Sequence, residues 1–231
     1  MSDDTHNDVR RLHISGPRRL DYEEAFHQQQ DLVNRCVESG GRDNFLMLVE
    51  HPPVITVGRS GELEEVVADE AVLRERGVEV VETNRGGRAT YHGPGQLVMY
   101  PVIDLKARGR DLHRYLRDLE TWMVELLHQY DVEAHADSEH TGVWVGDDKI
   151  VSIGIAVRRW VSYHGVALNV NNDMSFFDLI VPCGLPEVRM ISLSEEVGGE
   201  LNVEDVAGRA ARLFASIFDF EDSSCYVRDE T

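Results

Sequence analysis

Across residues 111–130 the apolar side chains Leu112, Tyr115, Leu116, Leu119, Trp122, Met123, Leu126 and Leu127 recur at three- and four-residue steps, which puts them on one face of a helix. A stripe that wide must bury itself against a second layer, so the rest of the chain has to supply one. The sequence after it is β-rich. Residues 142–145, 150–157 and 161–170 read as three strands, the first two joined at Gly146-Asp147-Asp148. Upstream, 9–14 reads as an edge strand. Asp21-x-x-Glu24 has the form of a capping box for a helix that runs through Phe26, Val33, Cys36 and Val37 to Gly40-Gly41. Short apolar runs at 45–49 and 54–57 flank Pro52-Pro53 and predict two buried strands. A helix over 62–76 should end at Gly77, with strands at 78–81 and 97–103, a loop over 173–184 and a last amphipathic helix over 203–218. Helices and strands alternate without strict βαβ order, so the expectation is an α+β fold. Residues 9–220 are expected to form a single domain, between a flexible acidic start (1–8) and a mobile acidic tail (221–231).

Charge narrows the function classes. The chain carries 42 Asp and Glu against 23 Lys and Arg, a formal net charge of −19. Such a surface repels phosphate backbones and anionic lipid, which argues against nucleic-acid and membrane partners. It also suits high salt, where self-repulsion is screened. No window reaches the roughly 18 apolar residues a spanning helix needs, and the polar MSDDTHNDVRR start is unlike a secretory signal, so a cytoplasmic location is expected. The three cysteines, Cys36, Cys183 and Cys225, have no paired spacing, so no disulfide framework is expected.

Three features bear on chemistry. Cys183 stands in Pro182-Cys183-Gly184, where a stiff proline and a bare glycine leave the thiol unshielded by neighbouring side chains; a small buried cysteine at a loop end reads the same way. Cys36 falls on an apolar helix face, and Cys225 lies among carboxylates that blunt a thiol. Of the 23 basic residues only Lys106 and Lys149 are lysines. A lysine can act as a base, as a guanidinium cannot, and its ammonium beside a thiol favours the thiolate. The bland alternative is a solvated lysine after a hairpin. The third feature is Arg85-Gly86-Gly87-Arg88-Ala89-Thr90-Tyr91-His92-Gly93-Pro94-Gly95-Gln96, too irregular for a helix or strand and rich in glycine and side-chain donors. It reads as a binding loop but is neither a P-loop nor a Rossmann fingerprint. Two further chemistries draw on the same residues: zinc held by His92, His164 and Cys183, or a Cys–His hydrolase with His92 or His164 as base.

Taken together, Arg85-Gly86-Gly87 with 90–96, Gly142-Val143-Trp144-Val145 with Lys149-Ile150, the run 163–171 (YHGVALNVN), and Pro182-Cys183-Gly184 resemble the lipoyl(octanoyl) transferase family, over roughly residues 10–220. The resemblance implies a fold shared with biotin and lipoate protein ligases: a mixed sheet flanked by helices, with a small second sheet. It implies that Cys183 takes an octanoyl or lipoyl group from acyl carrier protein as a thioester. The group then passes to a lysine of a lipoyl domain, in glycine cleavage H protein or a 2-oxoacid dehydrogenase E2. Lys149 would lower the thiol pKa and serve as a possible base. The acyl-binding residues it implies are Arg85, Gly86, Gly87, Arg88, Ala89, Thr90, Tyr91 and His92, then Ser152, Ile153 and Gly154, then Gly165, Val166 and Ala167. Val166, Ala167, Ile153 and Tyr91 are the candidates for lining an apolar slot. No cofactor, metal or second copy of the chain is expected. An ATP-dependent lipoate ligase on the same fold is the competing reading, since an acyl-adenylate needs no cysteine.

Overall fold

The computed structural model describes residues 10–181 and 188–220, and the backbone of 222–227. Its frame is an eight-stranded mixed sheet beside a three-stranded one. In chain order the elements are β1 (Arg11–Arg19), α1 (Tyr22–Glu38), β2 (Asp43–Glu50), β3 (Val54–Val57), α2 (Glu70–Glu75), β4 (Glu79–Glu82), β5 (Ala89–His92), β6 (Gln96–Val102), α3 (Leu112–His128), β7 (His135–Ala136), β8 (Val143–Val145), β9 (Asp148–Arg158), β10 (Val161–Asn169), α4 (Leu193–Val197), α5 (Val203–Ile217) and β11 (Asp222–Val227). β11 and β2 flank β1 in parallel, whereas β2–β6, β6–β10, β10–β9, β9–β8 and β8–β7 are antiparallel.

The α3 stripe finds its second layer in this sheet. Trp122, Leu119, Met123, Leu126 and Leu127 pack with α5 residues Ala207, Ala210 and Phe214 and with Leu46, Leu48, Leu97 and Met99 on one sheet face. α1 covers the other face, placing Val33 and Cys36 against Phe45, Val102 and Val161. Asp111 caps α3 by accepting the Arg114 N–H at 3.0 Å. At α1, Asp21 sits at the N-cap position but makes no capping hydrogen bond, so the capping-box motif there sets the boundary without its reciprocal bonds.

The structure departs from the sequence reading at several points. The helix expected over 62–76 is broken into a 3₁₀ turn (Leu63–Glu65) and the short α2. Between them the backbone is drawn out to pair with a distant segment: Val67 N–H donates to Leu179 O at 2.9 Å and Val66 bridges Ile180. The irregular glycine-rich stretch contains a strand, β5, which pairs antiparallel with β3. The tail expected to be mobile contributes β11 to the sheet edge.

Trp122 is the largest fully buried side chain, and its indole N–H donates to Ala210 O at 2.8 Å, tying α3 to α5. Trp122→Ala therefore removes both packing and a satisfied donor. Urea unfolding should show a loss of about 3–5 kcal/mol with an unchanged m-value.

Candidate active site

The glycine-rich stretch folds as it does because Arg85 turns back into it. The buried guanidinium donates to Thr56 O at 2.7 Å, Arg88 O at 2.8 Å, Thr56 Oγ1 at 2.8 Å and Gly86 O at 3.0 Å, so the loop wraps its own cation. Gly86 N–H reaches across to Ile155 O at 2.8 Å, docking the loop on β9. The approach leaves no room for a side chain: a Cβ on Gly154 would stand 2.7 Å from Gly86 O. β9 and β10 run side by side with Gly154 opposite Gly165 and Ile153 opposite Val166, so two separate sequence blocks form one floor.

Over that floor lies a cavity of about 200 Å³. Among the residues expected to bind acyl, Arg85, Gly87, Arg88, Ala89, Thr90, His92, Ser152, Ile153, Gly154, Gly165, Val166 and Ala167 line it, with Lys149. Gly86 serves as the anchor just described rather than as lining. Tyr91 lies away from the cavity: alternation along β5 sends its ring to the opposite side, stacked 4.8 Å from Phe176 and edge-on to Phe177 in a separate apolar cluster. The slot is lined without it.

Lys149 is no solvated hairpin lysine. It is 2% exposed, its Nζ donates to Thr141 O at 3.0 Å, and Nζ lies 5.1 Å from the centre of the Trp144 ring. Gly142, at φ +139°, makes the space: a Cβ there would stand 2.5 Å from Lys149 Cε. The Thr141–Gly142 turn is held by Glu120, a buried carboxylate on α3 that accepts Gly142 N–H at 3.1 Å and pairs with Arg117 at 2.6 Å. The Lys149 backbone is pinned as well, its N–H to Arg189 O and its C=O from Ile191 N–H, both at 2.9 Å.

Cys183 lies outside the described residues, but both flanks of its segment are described. Before it, Val181 N–H donates to Glu65 O at 2.8 Å. The Glu65 carboxylate, 6% exposed, also takes Ala89 N–H at 2.8 Å and Arg88 Nε at 2.7 Å, so one residue joins the cavity rim to the chain leading to the cysteine. After it, Met190 bridges Lys149 itself. Cys36 is buried in the core, where burial and then Asp104 push its thiol up to about 12, so it is not a nucleophile.

Several lining residues were not singled out from sequence as binding positions: Tyr22, Val98, Tyr100, Glu139, His140, Thr141 and His164. They come from α1, β6, the turn before β8, and β10. His164 carried a signal, as the second of two Tyr-His-Gly tripeptides, and the structure gives both histidines buried places on the cavity wall. His164 adopts φ +56° and bonds Asn84 Oδ1 through Nε2 at 2.8 Å. His92 Nδ1 bonds Gln96 Oε1 at 2.7 Å and its Nε2 meets Thr56 Oγ1 at 3.5 Å. Behind them His51 bridges Leu20 O and Tyr100 Oη at 2.7 and 2.8 Å. Among the described residues no three His, Cys, Asp or Glu side chains converge as metal ligands.

Burial is the main cause that lowers all three imidazoles: His51 to about 4, His164 to about 3 with help from Arg85 and Arg59, and His92 well below its ordinary value with help from His51 and Arg85. All three are neutral at pH 7. Because the unfolded chain takes up protons near pH 6.5 and the folded chain does not, stability is complete above pH 6.5 and falls as pH drops toward 4. Each histidine adds to the slope in that window, because each must take up a proton on unfolding. Denaturant unfolding at pH 7 and pH 5 measures this, and His51→Gln should reduce the difference without abolishing it, since His92 and His164 remain.

A family model for the lipoyl protein ligase A/B catalytic domain matches residues 21–215. The chain is 49% identical to an octanoyltransferase of Geobacter sp. (strain M21), over 84% of this chain and 91% of that protein. It is 44% identical to one of Solibacter usitatus, over 88% and 91%. Among solved structures it resembles the bi-partite lipoate protein ligase of Thermoplasma acidophilum, with TM-score 0.66 at 17% identity, covering 96% of this chain and 88% of that one. It also resembles the biotin protein ligase of Aquifex aeolicus in complex with biotin and ATP, with TM-score 0.55 at 13% identity, covering 93% and 73%. At those identities the structural likeness shows the fold alone: the mixed sheet flanked by helices, with its small second sheet.

Proposed function

The chain belongs to the lipoyl protein ligase A/B catalytic domain family and its activity is octanoyl transfer in lipoate biosynthesis, and from that premise we propose that it works through a thioester on Cys183 activated by Lys149. The observation that carries this reading is the burial of Lys149 on the wall of a cavity that the three described motif blocks share. Its backbone is paired to the segment that returns from Cys183.

In the first half-reaction the Cys183 thiolate attacks the carbonyl carbon of an octanoyl thioester on acyl carrier protein. A C–S bond to Cys183 forms, the C–S bond to the carrier breaks, and the carrier thiolate takes a proton from the Lys149 ammonium, which leaves Lys149 as a neutral amine for the second half. One thioester replaces another, so the step is close to neutral in free energy. In the second half a lipoyl-domain lysine attacks the enzyme thioester. A C–N bond forms, the C–S bond to Cys183 breaks, and the amine gives up its proton with Lys149 as base. An amide replaces a thioester, so the transfer runs downhill without ATP. The Lys149 side chain favours the thiolate in the first half by placing a cation beside it. Ile153, Val166 and Ala167 offer the octanoyl chain its apolar contacts. The acceptor is a lipoyl domain of an H protein or a 2-oxoacid dehydrogenase E2, and the reaction takes place in the cytoplasm. No helix among the described residues is long and apolar enough to cross a membrane.

Incubation with octanoyl-carrier protein in the absence of ATP should add one octanoyl group to the intact chain by mass spectrometry. Cys183→Ala should carry none, and Lys149→Ala should load slower by about 10²-fold or more. An adduct that persists on Cys183→Ala, or loading that requires ATP, would overturn the thioester mechanism.

A further inference from the structure

β10 and β9 stay paired only as far as Leu168 opposite Val151, so β10 leaves its neighbour before reaching Lys149. On its other side Lys149 has a ladder partner, Trp144 of β8. The vacated side is taken by the chain returning from the Cys183 segment, through the Arg189 and Ile191 bonds to the Lys149 backbone. An inserted segment that belongs to no strand needs something to hold it in register.

The residue at the point of divergence is Asn169, the last of β10 and 1% exposed. Its Nδ2 donates to Ile191 O at 3.0 Å, and its Oδ1 accepts from Gln96 Nε2 at 2.9 Å and Asn172 Nδ2 at 3.1 Å. The orientation of the amide is forced, because Ile191 O can only accept. Gln96 is fixed in turn, accepting from His92 at 2.7 Å and donating to Tyr91 O at 3.1 Å. A continuous buried chain of hydrogen bonds thus runs from the binding loop through Gln96 and Asn169 to Ile191, whose own N–H holds Lys149 O. Resting on the reading of Lys149 as the group that activates Cys183, we propose that Asn169 is a positioning residue: it holds the inserted segment against Lys149 and so fixes where the lysine side chain enters the cavity. Among the described residues no other side chain donates to Ile191 O.

Asn169→Asp keeps the shape and the acceptor for Gln96 while removing the donor to Ile191 O. Octanoyl loading of Cys183 from octanoyl-carrier protein should slow by about tenfold or more, whereas octanoate affinity by calorimetry stays within about twofold. In the Lys149→Ala background the same substitution should cost less than about twofold, because its effect passes through the lysine. Should Asn169→Asp melt, Asn169→Ser lacks the same donor and is read in the same way. Loading by the variant as fast as wild type overturns the inference, and so does an equal loss with and without Lys149, which marks a merely structural residue. A wild-type chain that forms no adduct on Cys183 overturns the parent reading and this one together, so the two failures are distinct.

Discussion

The site depends on where Lys149 is held. A lysine head group withdrawn from water costs several kcal/mol unless polar or π partners replace the lost hydration. Here Thr141 O and the Trp144 face are among those partners. The requirement propagates outward. The carbonyl must point inward, which needs the Gly142 backbone at φ +139°, and the turn must be anchored, which needs a buried carboxylate at Glu120. Glu120 stands on the helix whose apolar stripe builds the core, so the packing of α3 and the placement of the lysine are a single problem.

Much of this frame was legible in the residues. The α3 stripe, the strands at 45–49, 54–57 and 97–103 and the three β segments after 142 all emerged because their signals are local: period 3.6 or period 2 within one element. The stretch 85–96 reads as a binding loop from its glycines and donors, and Arg85, Gly87, Arg88, Ala89, Thr90 and His92 from it line the cavity. The errors share a cause, which is a partner distant in sequence. Leu179 and Ile180 pull Val67 and Val66 out of the expected helix, from 112 and 114 residues away along the chain. β5 forms because β3 lies beside it. Tyr91 is instructive, because the same period-2 rule that marks strands would have sent it to the face opposite Thr90 and His92 once β5 was known to be a strand. Tyr22, His51 and Tyr100 reach the cavity region from three separate elements, and nothing near them in sequence signals a site. Cys183 itself was read from sequence alone.

Buried polar groups tie the first and third motif blocks to each other and to β3. Gln96 closes the first block and Asn169 lies in the third; their side chains bond each other at 2.9 Å. Arg85 opens the first block and reaches Thr56, whose hydroxyl meets His92. A buried amide or guanidinium has no neutral substitute, because replacing either partner strands the other away from water. The blocks are thus linked by complementarity across the fold, even though each looks like an independent turn or strand in the sequence.

That complementarity also sets the electrostatics of the cavity. The surface is strongly acidic, yet the described lining contains Arg85, Arg88 and Lys149 against Glu139 alone. Arg88 is offset by Glu65 at 2.6 Å, and Arg85 is wrapped by backbone carbonyls and Thr56. Two of the three cations are therefore bound into the loop that they shape. Three buried histidines, His51, His92 and His164, lie on or behind the walls beside His140, and protonating any of the three would set another cation near the apolar floor of Ile153, Val166 and Ala167. Burial keeps them neutral, with Arg85 adding to the effect at His92 and His164. Neutral imidazoles let the wall donate and accept hydrogen bonds without competing for an anion, so at neutral pH the charge that Lys149 brings is not diluted by a ring of equivalent ones.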